Sequence, residues 1–269
     1  MSLKKKIAVI GVGNIGRILV NGLLKSKLVD SDHILGSTKN HNKNLTKQFG
    51  IKTFTDNALM VKEADIIVLA VKPQTIQRVL SEIDSAVKPS QLIITLAAAT
   101  DTMMIEEALG MDIPVIRAMP NTPCLINEGM TVLCPGQYAE HEHLEIAKQI
   151  FESLGRVEIV TQEELMDAVT ALSGCGPAYA YIIVESLAEG GVKAGLPREL
   201  ATTLAAQSLL GGAKMVLETG EHPAKLKDSV TTPAGVAMDG IMELEDGGLR
   251  VTLIKAVTKA TDKSKEISH

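Results

Sequence analysis

The chain has 269 residues, 45 % of them hydrophobic but only 2 % aromatic, with no Trp. That length accommodates one large domain or two ordinary ones, with a core that aliphatic side chains and Ala must fill. The formal charge of −5 argues against a nucleic-acid binder, whose footprint is a basic face, and leaves small anionic ligands open.

Lys4-Lys-Lys6 precedes an apolar run that breaks at Gly11, too short for a signal peptide. That run, Ile7-Ala-Val-Ile10, reads as a strand. It ends in Gly11-Val-Gly-Asn-Ile-Gly16, and Ile15, Ile18, Leu19 and Leu23 then follow a helical period. Between strand and helix, G-x-G-x-x-G has a physical meaning. Gly11 permits the tight turn, and Gly13 lets the backbone approach a pyrophosphate seated on the helix N-terminus. Gly16 lets helix and strand pack closely.

The next strand is Ile34-Leu-Gly-Ser37. An NAD-binding fold usually carries Asp or Glu here for the ribose diol. This chain instead reads Gly36-Ser-Thr-Lys39, with His41 and Lys43 close by. Hydroxyls and a cation suit a 2′-phosphate, so NADP is expected, with NAD possible.

Asp65-Ile-Ile-Val-Leu-Ala-Val71 has the near-continuous apolar character of a parallel strand covered on both faces. Lys72-Pro73 leaves its carboxyl end, where open α/β sheets bind ligands. Leu92–Ala98 and Val115–Ala118 are the next expected strands, and Ala97 and Ala98 are small enough to admit a ring. Met119-Pro-Asn-Thr-Pro123 is a rigid turn on the ligand side. A strand near 130–133, a helix near 140–153 and a strand near 157–160 close the sheet.

After about Thr161 strand signals stop. Helices are expected over 164–172, 178–194, 197–218, 235–244 and 249–265. Ile182, Ile183, Val184, Leu187 and Ala188, and the Ala- and Leu-rich 200–216, leave several of them apolar on more than one face. Such helices bury more than one side, which points to an oligomer. The fold class expected is an N-terminal α/β Rossmann domain, 1–161, followed by an all-α dimerisation domain, 162–269. Ser173-Gly-Cys-Gly-Pro177 and Thr231-Thr-Pro-Ala-Gly-Val-Ala237 each place Pro and small residues before a helix, leaving N–H groups free for a carboxylate.

Cys124, Cys134 and Cys175 show no paired or metal-like spacing, so a reduced, cytoplasmic protein without a metal site is expected. No run approaches the roughly 18 apolar residues of a membrane helix.

Taken together, the motifs are recognisable. They are Gly11–Gly16, Ala70-Val-Lys-Pro-Gln74, Met119–Pro123, Asp167-Ala-Val-Thr-Ala-Leu-Ser-Gly-Cys-Gly-Pro-Ala-Tyr179, Gly190-Gly-Val-Lys-Ala-Gly-Leu-Pro197 and His222-Pro-Ala-Lys-Leu-Lys-Asp228. In this order the chain resembles the pyrroline-5-carboxylate reductases over essentially its whole length. The resemblance implies NAD(P)H-dependent reduction of 1-pyrroline-5-carboxylate to L-proline. It implies a homodimer or an oligomer of dimers, with the site between one subunit's cofactor domain and the partner's helices. The implied cofactor set is Gly11, Gly13, Asn14, Ile15, Gly16, Ser37, Thr38, Lys39, Asn57, Ala70, Val71, Lys72, Pro73, Ala97, Ala98 and Ser229. The implied substrate set is Glu163, Val230, Thr232, Gly235, Val236 and Ala237. A protonated imine needs no dedicated strong acid, which leaves Thr232 and water as the expected proton donors.

The chain also departs from the family. The family's substrate loop usually reads Ser-Pro-Gly-Gly and then a pair ending in Thr. Here it is Thr232-Pro-Ala-Gly-Val-Ala237, so Ala234 replaces a Gly and Ala237 a hydroxyl residue. Cys175 stands where Ser is common. These departures keep two rivals open: a reductase of a related cyclic imine or keto acid, and a non-catalytic nucleotide-binding relative.

Overall fold

The computed structural model describes residues 3–38, 43–98 and 100–268. In chain order the first part runs β1 (Ile7–Ile10), α1 (Asn14–Lys25), β2 (Ile34–Ser37), α2 (Lys43–Phe49), β3 (Lys52–Phe54), α3 (Asn57–Val61), β4 (Ile66–Leu69), α4 (Pro73–Ile83), β5 (Leu92–Thr95) and α5 (Thr102–Leu109). It continues β6 (Val115–Met119), β7 (Gly129–Pro135), α6 (His141–Glu152) and β8 (Gly155–Ile159). The rest is helical: α7 (Leu165–Val169), a π-turn (Thr170–Gly174), α8 (Gly176–Lys193), α9 (Arg198–Thr219), α10 (Pro223–Val230), α11 (Val236–Asp246) and α12 (Leu249–Ser268).

Every residue of β1, β2, β4 and β5 is buried, which is why those strands read as nearly continuous apolar runs, with Ser37 and Thr95 at two of their carboxyl ends. The sheet order is β3-β2-β1-β4-β5-β6-β7-β8. All pairs are parallel except β6 with β7. Order reverses between β1 and β4, so a crevice opens at their carboxyl ends, where doubly wound sheets hold ligands. One face of the sheet packs with α1 and α6 through Leu19, Leu23, Ile150 and Phe151. The other packs with α4 and α5 through Ile76, Leu80 and Ile105. On α4 the buried positions are Ile76, Val79, Leu80 and Ile83. This spacing gives the helix one core face and leaves Arg78 and Glu82 off it.

The chain divides into two compact units, Met1–Gly174 with Ala260–His269, and Cys175–Lys259. The first of the C-terminal helices, α7, stays with the sheet because Met166 is buried against Val132 and Cys134. The last turns of α12 join it too: Ser264 Oγ donates to buried Asp167 Oδ1 at 2.6 Å.

In the second unit α8 and α9 meet through Ala188, Ala201 and Ala205. A Cβ on Gly191 would stand 3.1 Å from that of Ala201, so small residues set the close approach. Larger apolar side chains of this unit stay exposed, among them Tyr181, Ile182, Leu204, Leu210, Leu217, Met242 and Ile254. α9 is long and apolar enough, at a mean hydropathy of 1.2, to cross a membrane by length and composition. No continuous apolar run announced it, because Thr202, Thr203, Gln207, Ser208 and Lys214 interrupt the run without lowering the average enough.

Candidate active site

The glycine turn behaves as its spacing predicts. Gly11 has φ +91°, where a side chain is strained. A Cβ on it would lie 2.6 Å from Val71 Cγ1 and 2.8 Å from the Ala70 carbonyl oxygen. A Cβ on Gly16 would lie 2.5 Å from the Gly11 carbonyl oxygen. Gly13 differs, because nothing stands within 4 Å of its missing Cβ. Its freedom is on the cleft side, where a pyrophosphate would need the space. Gly13 caps α1 without a side-chain hydrogen bond, and the first turn holds no acid. The amide end of that helix is therefore free to take an anion.

A cavity of about 1200 Å³ opens in front of this turn. Its walls include Gly11, Gly13, Ser37, Thr38, Ala70, Val71 and Lys72, from the carboxyl ends of β1, β2 and β4, and Asn57, from the start of α3 after β3. Of the residues expected at the cofactor, Asn14, Ile15 and Gly16 sit in the first turn of α1. Pro73 opens α4 behind Lys72. Ala97 and Ala98 follow the end of β5, one strand away from the cavity wall. Lys39 lies outside the described residues. Ser229 belongs to the second compact unit, on α10, with its hydroxyl donating to the Leu226 carbonyl.

Four side chains form a chain of contacts along the cavity. Ser37 Oγ donates to Asn57 Oδ1 at 2.6 Å, and Asn57 Nδ2 donates to Glu82 Oε2 at 2.6 Å. Arg78 NH1 donates to Glu82 Oε1 at 2.8 Å. Arg78, Glu82, Thr55, Asp56 and Thr75 all line the cavity, and none was expected there. The periodicity of α4 marks Arg78 and Glu82 only as a solvated face.

Glu163 is held firmly. Its Oε2 accepts from Thr102 Oγ1 at 2.7 Å, and its Oε1 accepts from the Thr102 N–H at 3.0 Å and from Arg117 NH1 at 3.2 Å. The same guanidinium reaches Asp101 Oδ1 at 2.9 Å. Glu163 thus supplies the N-terminal cap of α5, since Asp101 makes no side-chain cap there. A carboxylate at a helix N-terminus beside a guanidinium is well placed electrostatically. Nearby, burial and the charge of Glu163 push the Cys134 thiol up to about 11, so this cysteine stays protonated and unreactive.

In the helical unit the expected substrate loop is a tight turn. The Gly235 N–H donates to the Thr232 carbonyl at 2.9 Å, and Pro233 and Ala234 occupy the corners. Pro at the first corner and a positive φ at the second are the marks of a type II turn. Ala234 carries that positive φ, +57°, in the position that favours Gly. Gly235 then caps α11 without a side-chain bond, so Val236 and Ala237 begin a helix whose first amides have no side-chain cap. Val230, Thr232 and Val236 are exposed. Ala234→Gly is expected to raise stability by about 0.5–1 kcal/mol, because the strain at positive φ outweighs the entropy that Gly loses. A melting curve at fixed protomer concentration should move up by about 1–4 °C.

A doubly wound sheet with an open glycine turn at its switch point defines a class, the Rossmann dinucleotide-binding proteins, here joined to a helical unit. Family models match both parts. Residues 6–99 match the model described as NADP oxidoreductase, coenzyme F420-dependent, and residues 163–267 match that described as pyrroline-5-carboxylate reductase dimerisation. A pyrroline-5-carboxylate reductase of Methanosarcina acetivorans is 42 % identical over 265 residues, 98 % of each chain. That of Escherichia coli is 40 % identical over 268 residues, 99 % of each chain. The solved structure of the reductase from Coxiella burnetii superimposes with a TM-score of 0.93 at 35 % identity, over 99 % of this chain and 100 % of that one. That of the Plasmodium falciparum enzyme, with NADP bound, gives 0.89 at 30 % identity over the whole of both chains. The chain belongs to the pyrroline-5-carboxylate reductase family.

Proposed function

We propose that this protein reduces 1-pyrroline-5-carboxylate to L-proline with NADPH, in the cytoplasm, as a homodimer or an oligomer of dimers. The observation that carries the reading is the match to reductases of this name across 98–99 % of both chains. The cavity in front of the glycine turn fits the cofactor's demands: an uncapped helix N-terminus, room at Gly13, and hydroxyls at Ser37 and Thr38. Functionally the chain is divided at 161/162, the helical part supplying substrate groups and a face for a second copy. The exposed apolar side chains of α8, α9, α11 and α12 support that face. The three free cysteines fit a reducing compartment.

When bound, the nicotinamide supplies the hydride that a cyclic iminium carbon accepts. The chain's own residues position and desolvate. The uncapped amides of Val236 and Ala237 take the substrate carboxylate, as a helix N-terminus does for anions. Ala237 brings no hydroxyl, so its backbone does this work. Glu163 keeps 23 % of its side chain exposed, enough to face the iminium N–H while Thr102 and Arg117 fix its orientation. The iminium arrives protonated, and Thr232 Oγ1 orients it or the water beside it. Most of the acceleration comes from alignment of the reacting atoms.

The experiment is steady-state turnover of Thr232→Val across pH. A loss in kcat below about tenfold is expected, because positioning rather than a strong acid sets the rate. A loss beyond a hundredfold at every pH would make Thr232 Oγ1 an obligatory proton donor and overturn the positioning account.

A further inference from the structure

We propose that Arg78 and Glu82, on α4, set the choice between NADPH and NADH. Arg78 leaves Glu82 to meet the 2′-phosphate, and Glu82 opposes that phosphate. The inference rests on the reading of the cavity as the dinucleotide site.

An NAD-type fold places its carboxylate at the end of β2, on the ribose. Here that end carries Ser37 and Thr38, without an acid. The carboxylate comes instead from across the cavity. Glu82 is two hydrogen bonds from Ser37, through Asn57. The direction of those bonds matters. Asn57 spends its amide on Glu82, so its Oδ1 takes the proton of Ser37. Ser37 Oγ then faces the cavity with lone pairs. It can accept from a ribose hydroxyl, but against a phosphate oxygen it sets acceptor against acceptor. With Glu82 behind it, the arrangement alone favours the unphosphorylated ribose.

Arg78 reverses this. Its guanidinium pairs with Glu82 Oε1, yet its side chain is 56 % exposed, and an exposed i,i+4 ion pair contributes little. Turning from Glu82 to a dianionic phosphate therefore loses little, and it gains the two-pronged contact that guanidinium makes with phosphate. One residue thus repels the 2′-phosphate and one attracts it, and they predict opposite effects when removed.

The test is calorimetric binding of 2′,5′-ADP and of 5′-AMP, the adenosine fragment with and without the phosphate, to the whole protein. Arg78→Ala is expected to weaken 2′,5′-ADP about tenfold, in line with the loss of one charge-assisted bond, and to leave 5′-AMP within about twofold. Glu82→Gln is expected to tighten 2′,5′-ADP by about threefold or more with 5′-AMP unchanged, because a repelling charge has gone. The ratio of KM for NADPH to KM for NADH should follow the same two directions. Equal shifts for both ligands, or no shift for either, would overturn the proposal. If Gly13→Ala also left both ligands unaffected, the cavity itself would not be the dinucleotide site, which is a separate failure.

Discussion

Gly13→Ala should weaken NADPH binding about a hundredfold while costing the free protein only about 1 kcal/mol of stability. Most glycine substitutions confound fold with function, and this one separates them. Nothing lies within 4 Å of the position a Cβ would take at Gly13. Its backbone, at φ −84° and ψ −149°, lies just outside the regions that residues with a side chain prefer, so the methyl costs about 1 kcal/mol of strain but meets no atom. The cofactor does not accept it, because that position faces the cavity where the pyrophosphate needs the helix amides. Loss of charge-assisted hydrogen bonds from the helix amides, about 1.5–3 kcal/mol each, is enough for a hundredfold loss of affinity. Gly16→Ala is the contrast: its methyl would stand 2.5 Å from the Gly11 carbonyl oxygen, so both stability and binding should fall. Fluorescence titration with NADPH and urea unfolding of the cofactor-free protein, run on both variants, distinguish the two cases. A loss of stability in Gly13→Ala as large as in Gly16→Ala would contradict this account of the turn.

The other large effect is expected at Arg117. This side chain on β6 is 4 % exposed and holds Asp101 and Glu163 together. Arg117→Met keeps the volume and removes the charge, which leaves two carboxylates facing each other at the start of α5. Breaking a buried pair by deleting one partner costs roughly 3–5 kcal/mol. Asp101 and Glu163 are partly exposed, so the lower end applies, about 3 kcal/mol. The urea midpoint at fixed protomer concentration reads this directly. Adding Glu163→Gln to the variant should recover part of the loss, since one of the stranded charges goes with it. No recovery would mean that the guanidinium acts through packing rather than through its carboxylates.

The sheet was largely legible, and the residues show why. A buried parallel strand is a mostly apolar run, so β1, β2, β4 and β5 were found near their true bounds, and β6 too despite the buried Arg117 within it. β3, Lys52–Phe54, was not anticipated. It has three residues, none fully buried, and at the sheet edge no apolar pattern is imposed on it. In the helical unit, α10 was not among the expected helices. Pro at a helix start costs nothing, and His222 Nδ1 accepts from the Ala224 N–H to cap it. The end of the sheet unit was read as 161, whereas the compact unit runs on to Gly174 and takes back the last turns of α12. The contacts responsible, Met166 with Val132 and Asp167 with Ser264, join residues far apart in sequence, and local pattern carries no trace of them.

The site divides in the same way. The glycine turn and the Pro-Ala-Gly turn depend on local backbone, so sequence shows them, including the awkward Ala234. Arg78 and Glu82 become site residues only because α4 lies across the crevice from Asn57 and Ser37. Arg117 acquires its role from Asp101 and Glu163, which come from two other segments. Such groups have the look of ordinary charges until the chain is folded.

The most direct measurement is oxidation of NADPH by the purified protein with and without 1-pyrroline-5-carboxylate, with L-proline quantified alongside. The account predicts imine-dependent oxidation, one proline formed per NADPH consumed, despite Ala237. Tight NADPH binding with no imine-dependent oxidation would contradict it.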